Sequence, residues 1–497
     1  MASVLLLCPS ARATWSIVLA DRGTGEVAVG CATCWDGQWL EQMLPVIQAG
    51  RGAANCQATV DSSGQNRGII FDGLADAIDP AAVLSAVQAQ DSLFGNRQIA
   101  IVDLAGKVAT HTGAAIPDSW NGHLSGVDGD LVWSIQGNRL AGQPVVSAAR
   151  DAVLCADGDL ADRLMAGMRA AQAMGGDGRC SCSTGYPSSC GSPPPSFTKS
   201  AHVGFMIVAR VGDLDGDCDA SNGCATGRYY MNLEVGGWQG SQPDPVDQMQ
   251  VQMDQWRASL IGRPDQLEST VEVDPPVLVA GGASPARITI RLQDWRGVQL
   301  ASGGAAVTVL GVTASGEMLP IGEVSDHGDG TYSLPLAPVP RPGKLTLRCV
   351  VDDGTGPVQL HPARELIVAP AAGLSANRKQ LSIKRGGEVR LGIDLSPAMA
   401  GRPYLLLCSA SGTAPGFTLF KIHVPLVLDH VVLASWRLRG SMVLPGSVGL
   451  LNEHGRGLAA LRLSPGGLYS FLPGSLSFSL LAGPGYASRP VVVELAP

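Results

Sequence analysis

Thr14-Trp15-Ser16-Ile17-Val18-Leu19 runs into Asp21-Arg22-Gly23-Thr24-Gly25, and Glu26-Val27-Ala28-Val29-Gly30 follows. Ile17 and Leu19 alternate with Ser16 and Val18. With turn residues between two β-rich runs, the stretch predicts a hairpin that opens a buried sheet. Upstream, the short apolar run Val4 to Leu7 leads into Ala11-Arg12-Ala13, an A-x-A pattern of the signal-peptidase kind. Residues 1–13 therefore read as a signal-like leader, although it is short and has no Lys or Arg before its apolar run. Leu5-Leu6-Leu7-Cys8 is a poor lipoprotein box, because Leu7 stands where a small residue is needed. Cleavage after Ala13 would make Thr14 the first residue. A Thr there carries its own general base, since an α-amine titrates at roughly 7.7–8 beside the hydroxyl.

Working outward, Gly52 to Val60 reads as a strand carrying Gln57, and Asp79-Pro80 as the N-cap and first residue of a helix. Ile99 to Val102 and Val108 to Thr112 form a second hairpin around Asp103-Leu104-Ala105-Gly106. Leu131 to Ile135 is a buried strand ending at Gln136-Gly137-Asn138, read as a glycine-flanked turn. Two helices follow, from Pro144 to Cys155 and from the Asp159 cap through Leu160, Leu164, Met168 and Ala171, before Gly175-Gly176 stops the second. Val203 to Val208 and Tyr229 to Val235 are strands. Asp244-Pro245 starts a helix with Val246, Met249, Met253, Trp256 and Leu260 at helical spacing, ended by Gly262. Strand pairs alternating with helix pairs suit two stacked sheets between helices, among several α/β layouts.

Five segments in order resemble the domain family of unknown function 1028, assigned to the N-terminal nucleophile hydrolase superfamily. They are Thr14-Trp15-Ser16-Ile17-Val18, Gln48-Ala49-Gly50-Arg51-Gly52-Ala53, Arg97 to Asp103, Gln136-Gly137-Asn138-Arg139-Leu140-Ala141-Gly142 and Gly175-Gly176-Asp177. The resemblance, from Thr14 to about Met249, implies a four-layer αββα fold, set as a domain at 14–265, and amide hydrolysis through an acyl-enzyme. Chemistry and motif position assign the remaining roles. Thr14 is the nucleophile, Asn138 and the Gly137 amide are oxyanion donors, Gln57 is a second donor candidate, and Asp177 orients the amine. Each has a structural alternative: Asn suits left-handed turns, Asp after Gly-Gly caps, and Thr favours strands. No G-x-S-x-G elbow supports a Ser-His-Asp triad. The substrate would be a small amide or peptide-like compound, and no cofactor is required.

Charged residues make up 16% of the 497-residue chain, the formal net charge is −8, and no basic run occurs, so the footprint of nucleic-acid binding is missing. No apolar run reaches the ~18 residues of a transmembrane helix. Twelve cysteines point to an oxidising compartment, hence a secreted or cell-surface location. Cys31-Ala32-Thr33-Cys34 is read as disulfide-forming, to Cys56 or elsewhere, with zinc a lesser option for want of a second CxxC or a His pair. Residues 178–199, with Cys180, Cys182, Cys190 and Pro193 to Pro195, read as a stapled loop insertion. Asp213, Asp215, Asp217 and Asp219 alternate as Ca²⁺ ligands would, although the EF-hand register fails at Cys218. The leading reading is an acidic hairpin tip closed by Cys218–Cys224, with a structural Ca²⁺ as the alternative.

From Ser269 the composition turns to alternating β sequence. Asp326-His327-Gly328-Asp329-Gly330-Thr331-Tyr332 resembles filamin-type and invasin-type immunoglobulin-like domains, placing a β-sandwich at 269–369 with Cys349 as a buried thiol. Tyr404-Leu405-Leu406-Leu407-Cys408-Ser409 resembles a β module of secreted bacterial proteins, at 373–497. The expected class is α+β, an αββα sandwich followed by two all-β sandwiches. Two functions fit: a secreted N-terminal-nucleophile amidohydrolase, or a non-catalytic surface protein that binds cell-surface components and uses the αββα unit as scaffold.

Overall fold

In the computed structural model, β1 (Thr14–Asp21) and β2 (Glu26–Thr33) pair antiparallel through a turn in which Gly25 takes φ 75°. The described residues are 14–35, 40–116, 119–237, 242–281, 286–319, 322–370, 372–466 and 474–497, so the leader and Cys8 lie outside them. The chain forms two compact units, Met1–Ile261 and Gly262–Pro497. The division falls before residue 265 because Asp265 already donates its N–H to the Gln293 carbonyl of the second unit.

The first unit has two antiparallel sheets. The smaller runs β3 (Pro45–Gln48), β4 (Gly52–Ala58), β5 (Arg97–Asp103), β6 (Val108–Thr112). The larger adds β7 (Trp120–Asp128), β8 (Leu131–Leu140), β9 (Val203–Ala209) and β10 (Met231–Val235), in the order β10-β9-β2-β1-β8-β7. Helices α1 (Gln65–Ala75) and α2 (Pro80–Gln90) cover the small sheet through Ile70, Leu74, Val83 and Val87. Helices α3 (Pro144–Cys155) and α4 (Leu160–Ala173) cover the large one; past the short α5 (Gly178–Ser181), α6 (Pro245–Ser259) joins them through Val246, Met249 and Met253. The result is the expected αββα stack.

Period two explains how β1 serves both interfaces. Trp15, Ile17 and Leu19 pack into the helix layer, while Val18 and Ala20 pack between the sheets. Asp79, Asp159 and Asp244 accept the first helical N–H groups of α2, α4 and α6, as their sequence context predicts. Sequence periodicity does not mark α1, because its buried face includes Asn66 and Arg67 and its N-cap is Gly64 at φ 72°. Gly175-Gly176 does more than end α4. Gly176 takes φ 51°, and a Cβ there would stand 2.6 Å from the Trp15 ring.

The second unit contains two β-sandwiches with one strand plan. In each, an early strand pairs in one sheet (Thr270–Asp274; Leu374–Ala376), and the next crosses to the other sheet (Val277–Val279; Gln380–Ser382). The crossing strand lies parallel to the last strand of its sandwich, Arg364–Ala369 or Val491–Ala496. Ile288, Ile290, Tyr332, Leu345 and Leu347 fill the first core; Leu391, Ile393, Phe478 and Tyr486 fill the second. Cys349 is a buried thiol. Helix α7 (His430–Arg437), capped by Asp429, interrupts the second sandwich within an insertion between Pro403–Ser409 and Val448–Leu450.

Candidate functional site

Thr14 begins β1 opposite Asn138 of β8 and is only 3% exposed. Its hydroxyl oxygen lies 3.4 Å from that of Thr33, the last residue of β2. Thr33 Oγ1 accepts from Arg179 Nη2 at 3.2 Å. Arg179 is clamped in turn by the fully buried Asp177, with Nη2 to Oδ2 at 2.7 Å and Nε to Oδ1 at 3.1 Å. Asp177 also accepts the backbone N–H groups of Arg179 (3.0 Å) and Cys34 (2.7 Å). Asp177 thus orients Arg179, and its path to Thr14 runs through Arg179 and Thr33. A disulfide joins Cys34 to Cys180, the residues that follow Thr33 and Arg179. Burial, and next the nearby Arg179, hold the Arg139 guanidinium below its usual value.

Behind Thr14 the space between the sheets is polar. Gln98 sits at its centre: Oε1 accepts from Gln57 (2.8 Å) and Asn138 (3.2 Å), and Nε2 donates to the carbonyls of Gly137 (2.9 Å) and Gly122 (3.0 Å) and to Thr112 Oγ1 (3.0 Å). Gln57 Nε2 donates also to the Thr14 carbonyl at 3.0 Å, and Asn55 Nδ2 donates to Gln57 Oε1 at 2.8 Å. Both Gln57 amide protons are thereby used within the protein, which removes it as an oxyanion donor in this geometry. Asn138 keeps one amide proton beyond its bond to Gln98. Asn138 Oδ1, Asn55 Oδ1, Gln136 Oε1, Ser16 Oγ and Ser134 Oγ are buried without a protein hydrogen bond.

The glycine-flanked turn at Gly137-Asn138 is in fact strand. β8 continues to Leu140, paired to β1 on one side and β7 on the other, so the Gly137 amide belongs to a ladder. The left-handed residue is Arg139 instead, at φ 52°, where β7 shifts register and Asn121 Oδ1 accepts the Arg139 N–H at 3.1 Å. Sequence reading missed Thr33, Gln98 and Arg179. Gln98 lies inside a segment already singled out, and Arg179 stands two residues past Asp177.

Three of the four acidic side chains of 213–219 serve separate partners. Asp213 accepts the N–H groups of Arg210 and Tyr230, each at 2.8 Å, and Asp215 that of Ala49 at 3.1 Å. Burial raises both of their pKa values. Asp219 caps its own turn, and bonds from the Ser221 hydroxyl and then the Asn222 backbone lower it to about 2. Among the described residues these carboxylates do not converge on one point. Backbone N–H groups from other segments hold Asp213 and Asp215, and Asp219 serves its own turn. Cys218–Cys224 does close the tip, and Cys182–Cys190 staples the 178–199 insertion. Cys31 and Cys56 are buried free thiols, because each faces a different packed layer.

An αββα domain headed by a threonine strand, followed by a β-sandwich unit, is the class these features define. Residues 14–186 match the model of a family of unknown function (DUF1028), and residues 265–361 match invasin domain 3. Over these two stretches the chain is similar to those families. A crystal structure of a DUF1028 protein from Silicibacter pomeroyi is similar at 19% identity, covering 49% of this chain and 88% of that one, with TM-score 0.36. The Escherichia coli adhesin FdeC is similar at 15% identity over 59% and 74% of the two chains, with TM-score 0.24. Invasin, a bacterial integrin-binding protein, is similar at 13% identity over 59% and 46%, with TM-score 0.19. No curated protein matches. Among the described residues no helix is long and apolar enough to cross a membrane.

Removing Arg179 strands a buried carboxylate. Arg179→Ala should destabilise the first unit by about 3–5 kcal/mol in urea unfolding, and adding Asp177→Asn should return part of the loss. A second prediction concerns Glu234. Burial, and next the neighbouring Glu41, raise its pKa from 4.5 to about 7. The folded state therefore holds this proton more tightly than the unfolded chain. Its stabilising contribution is full below pH 4.5 and falls away as pH rises to about 7. Glu234→Gln should flatten that stretch of the stability–pH curve, measured by chemical denaturation.

Proposed function

We propose that this is a multidomain binding protein of the cell surface, in which the β-sandwich unit presents the αββα domain and contributes binding surface of its own. The invasin-domain match at 265–361, followed by a second sandwich of the same strand plan, carries the reading. Three disulfides suit an oxidising exterior. The insertion around α7 exposes Phe420 (75%), Leu433 (56%) and Met442 (87%), apolar side chains that a partner would cover. Antibody labelling of intact cells should detect the second unit without permeabilisation; labelling only after lysis refutes the reading. On displayed protein, the triple change Phe420→Ser, Leu433→Ser, Met442→Ser should lower adhesion to cell-surface material severalfold while leaving thermal unfolding unchanged.

One observation favours a second, hydrolytic reading: the Thr14 hydroxyl stands at a strand head within reach of Thr33, itself bonded to Arg179. Here cleavage after Ala13 exposes the amine of Thr14. The amine takes the hydroxyl proton, Oγ1 attacks an amide carbonyl, the amine product leaves with that proton, and water then hydrolyses the ester. Asn138 keeps an amide proton with which to steady the oxyanion. N-terminal sequencing of the mature protein should begin at Thr14, and a hydroxyl-directed electrophile should label wild type but not Thr14→Ala. A retained residue 13 excludes this chemistry.

A further inference from the structure

We infer that Cys34, Cys180 and His202 form a binding site for a soft divalent metal ion, Zn²⁺ being the type, when the disulfide between the two cysteines is reduced. Three separated pieces of chain meet here: the end of the first hairpin, α5, and the residue before β9's opening Val203. His202 Nε2 lies 4.0 Å from Cys34 Sγ, and all three donor atoms lie within 4.8 Å of one another. Among the described residues it is the one group of three His, Cys, Asp or Glu side chains that converges this way. All three residues are half-buried, so a reductant and an ion can reach them.

The frame does not depend on the sulfur–sulfur bond. Cys34 N–H donates to Asp177 Oδ2 at 2.7 Å, Cys180 N–H to the Asp177 carbonyl at 3.0 Å, and His202 N–H to the Thr33 carbonyl at 2.8 Å. One buried aspartate thus fixes both cysteine backbones. A tetrahedral Zn²⁺ with bonds of about 2.3 Å to sulfur and 2.0–2.1 Å to nitrogen needs its sulfurs ~3.8 Å apart. Side-chain rotation from backbones whose Cα atoms are 5.6 Å apart supplies that opening. Two thiolates and one imidazole leave the fourth position to water.

The chemistry balances in two steps. A dithiol reductant passes two electrons and two protons to the disulfide, giving two thiols and its own disulfide. The ion then displaces both thiol protons as the sulfurs bind, while His202 donates the Nε2 lone pair. The oxidised form offers no thiolate, so metal binding is redox-gated. The site does not rest on either functional reading, although it adjoins the Thr33–Arg179 contact.

The test uses the full chain, reduced anaerobically with a non-chelating phosphine and titrated with Co²⁺. Reduced wild type should bind one ion with a thiolate charge-transfer absorption in excess of that given by Cys34→Ser or Cys180→Ser, and Zn²⁺ should bleach it. The oxidised protein should lack the band. His202→Ala, which keeps the disulfide and can be checked for folding before reduction, should bind at least about tenfold more weakly. The inference falls if reduced wild type shows no excess over the cysteine variants, or if His202→Ala binds as tightly. It falls equally if reduction unfolds the domain by far-ultraviolet circular dichroism and added Zn²⁺ does not restore it.

Discussion

Everything in the first unit is arranged around a strand that is paired on both edges and buried on both faces. β1 lies between β2 and β8, so its backbone is fixed by two ladders at once. Its helix-facing residues Trp15, Ile17 and Leu19 are apolar. Its other face changes character along its length: Val18 and Ala20 join an apolar sheet–sheet core, whereas Thr14 and Ser16 face the end where Asn55, Gln57, Gln98, Gln136 and Asn138 lie. Buried amides cost free energy unless they are hydrogen-bonded, a requirement that falls on this end of the sheet pair. Gln98 meets it with both ends of its side chain.

The same constraint explains what could be read from sequence. Local chemistry announces itself: Asp79-Pro80, Asp159 and Asp244-Pro245 cap helices where expected, and the alternation in Thr14 to Leu19 is a strand. Long-range pairing does not. Thr33 and Arg179 are 146 residues apart, and nothing in either neighbourhood points to the other. Cys34 was legible as a disulfide former but not its partner Cys180, because loop closure leaves no local trace. Asn138 misled for a specific reason. Asn beside Gly favours a turn in isolation, but here its amide finds Gln98 inside the protein, and the backbone irregularity moves on to Arg139. At 213–219 the sequence does not show that Ala49 and Tyr230 supply N–H groups to Asp215 and Asp213, while the Asx-type turn at Asp219 is local.

In the second unit the resemblance at Asp326 to Tyr332 located a sandwich, and the structure adds that the segment from Leu374 onward repeats its strand order. Sequence alone hides this recurrence because the second copy carries the α7 insertion. Alternation identifies strands, not the sheet to which each belongs, so the early strand that changes sheets was invisible.

That change of sheet has a mechanical meaning. Val277–Val279 runs parallel to Ile367–Ala369, and Gln380–Ser382 parallel to Glu494–Ala496, so an early and a final strand of each sandwich lie side by side pointing the same way. Tension applied to the two ends of such a fold slides these strands lengthwise past each other. The hydrogen bonds between them are then loaded together, in shear, instead of peeling one after another. Each sandwich thereby meets a pull on its ends with a set of bonds that must yield together.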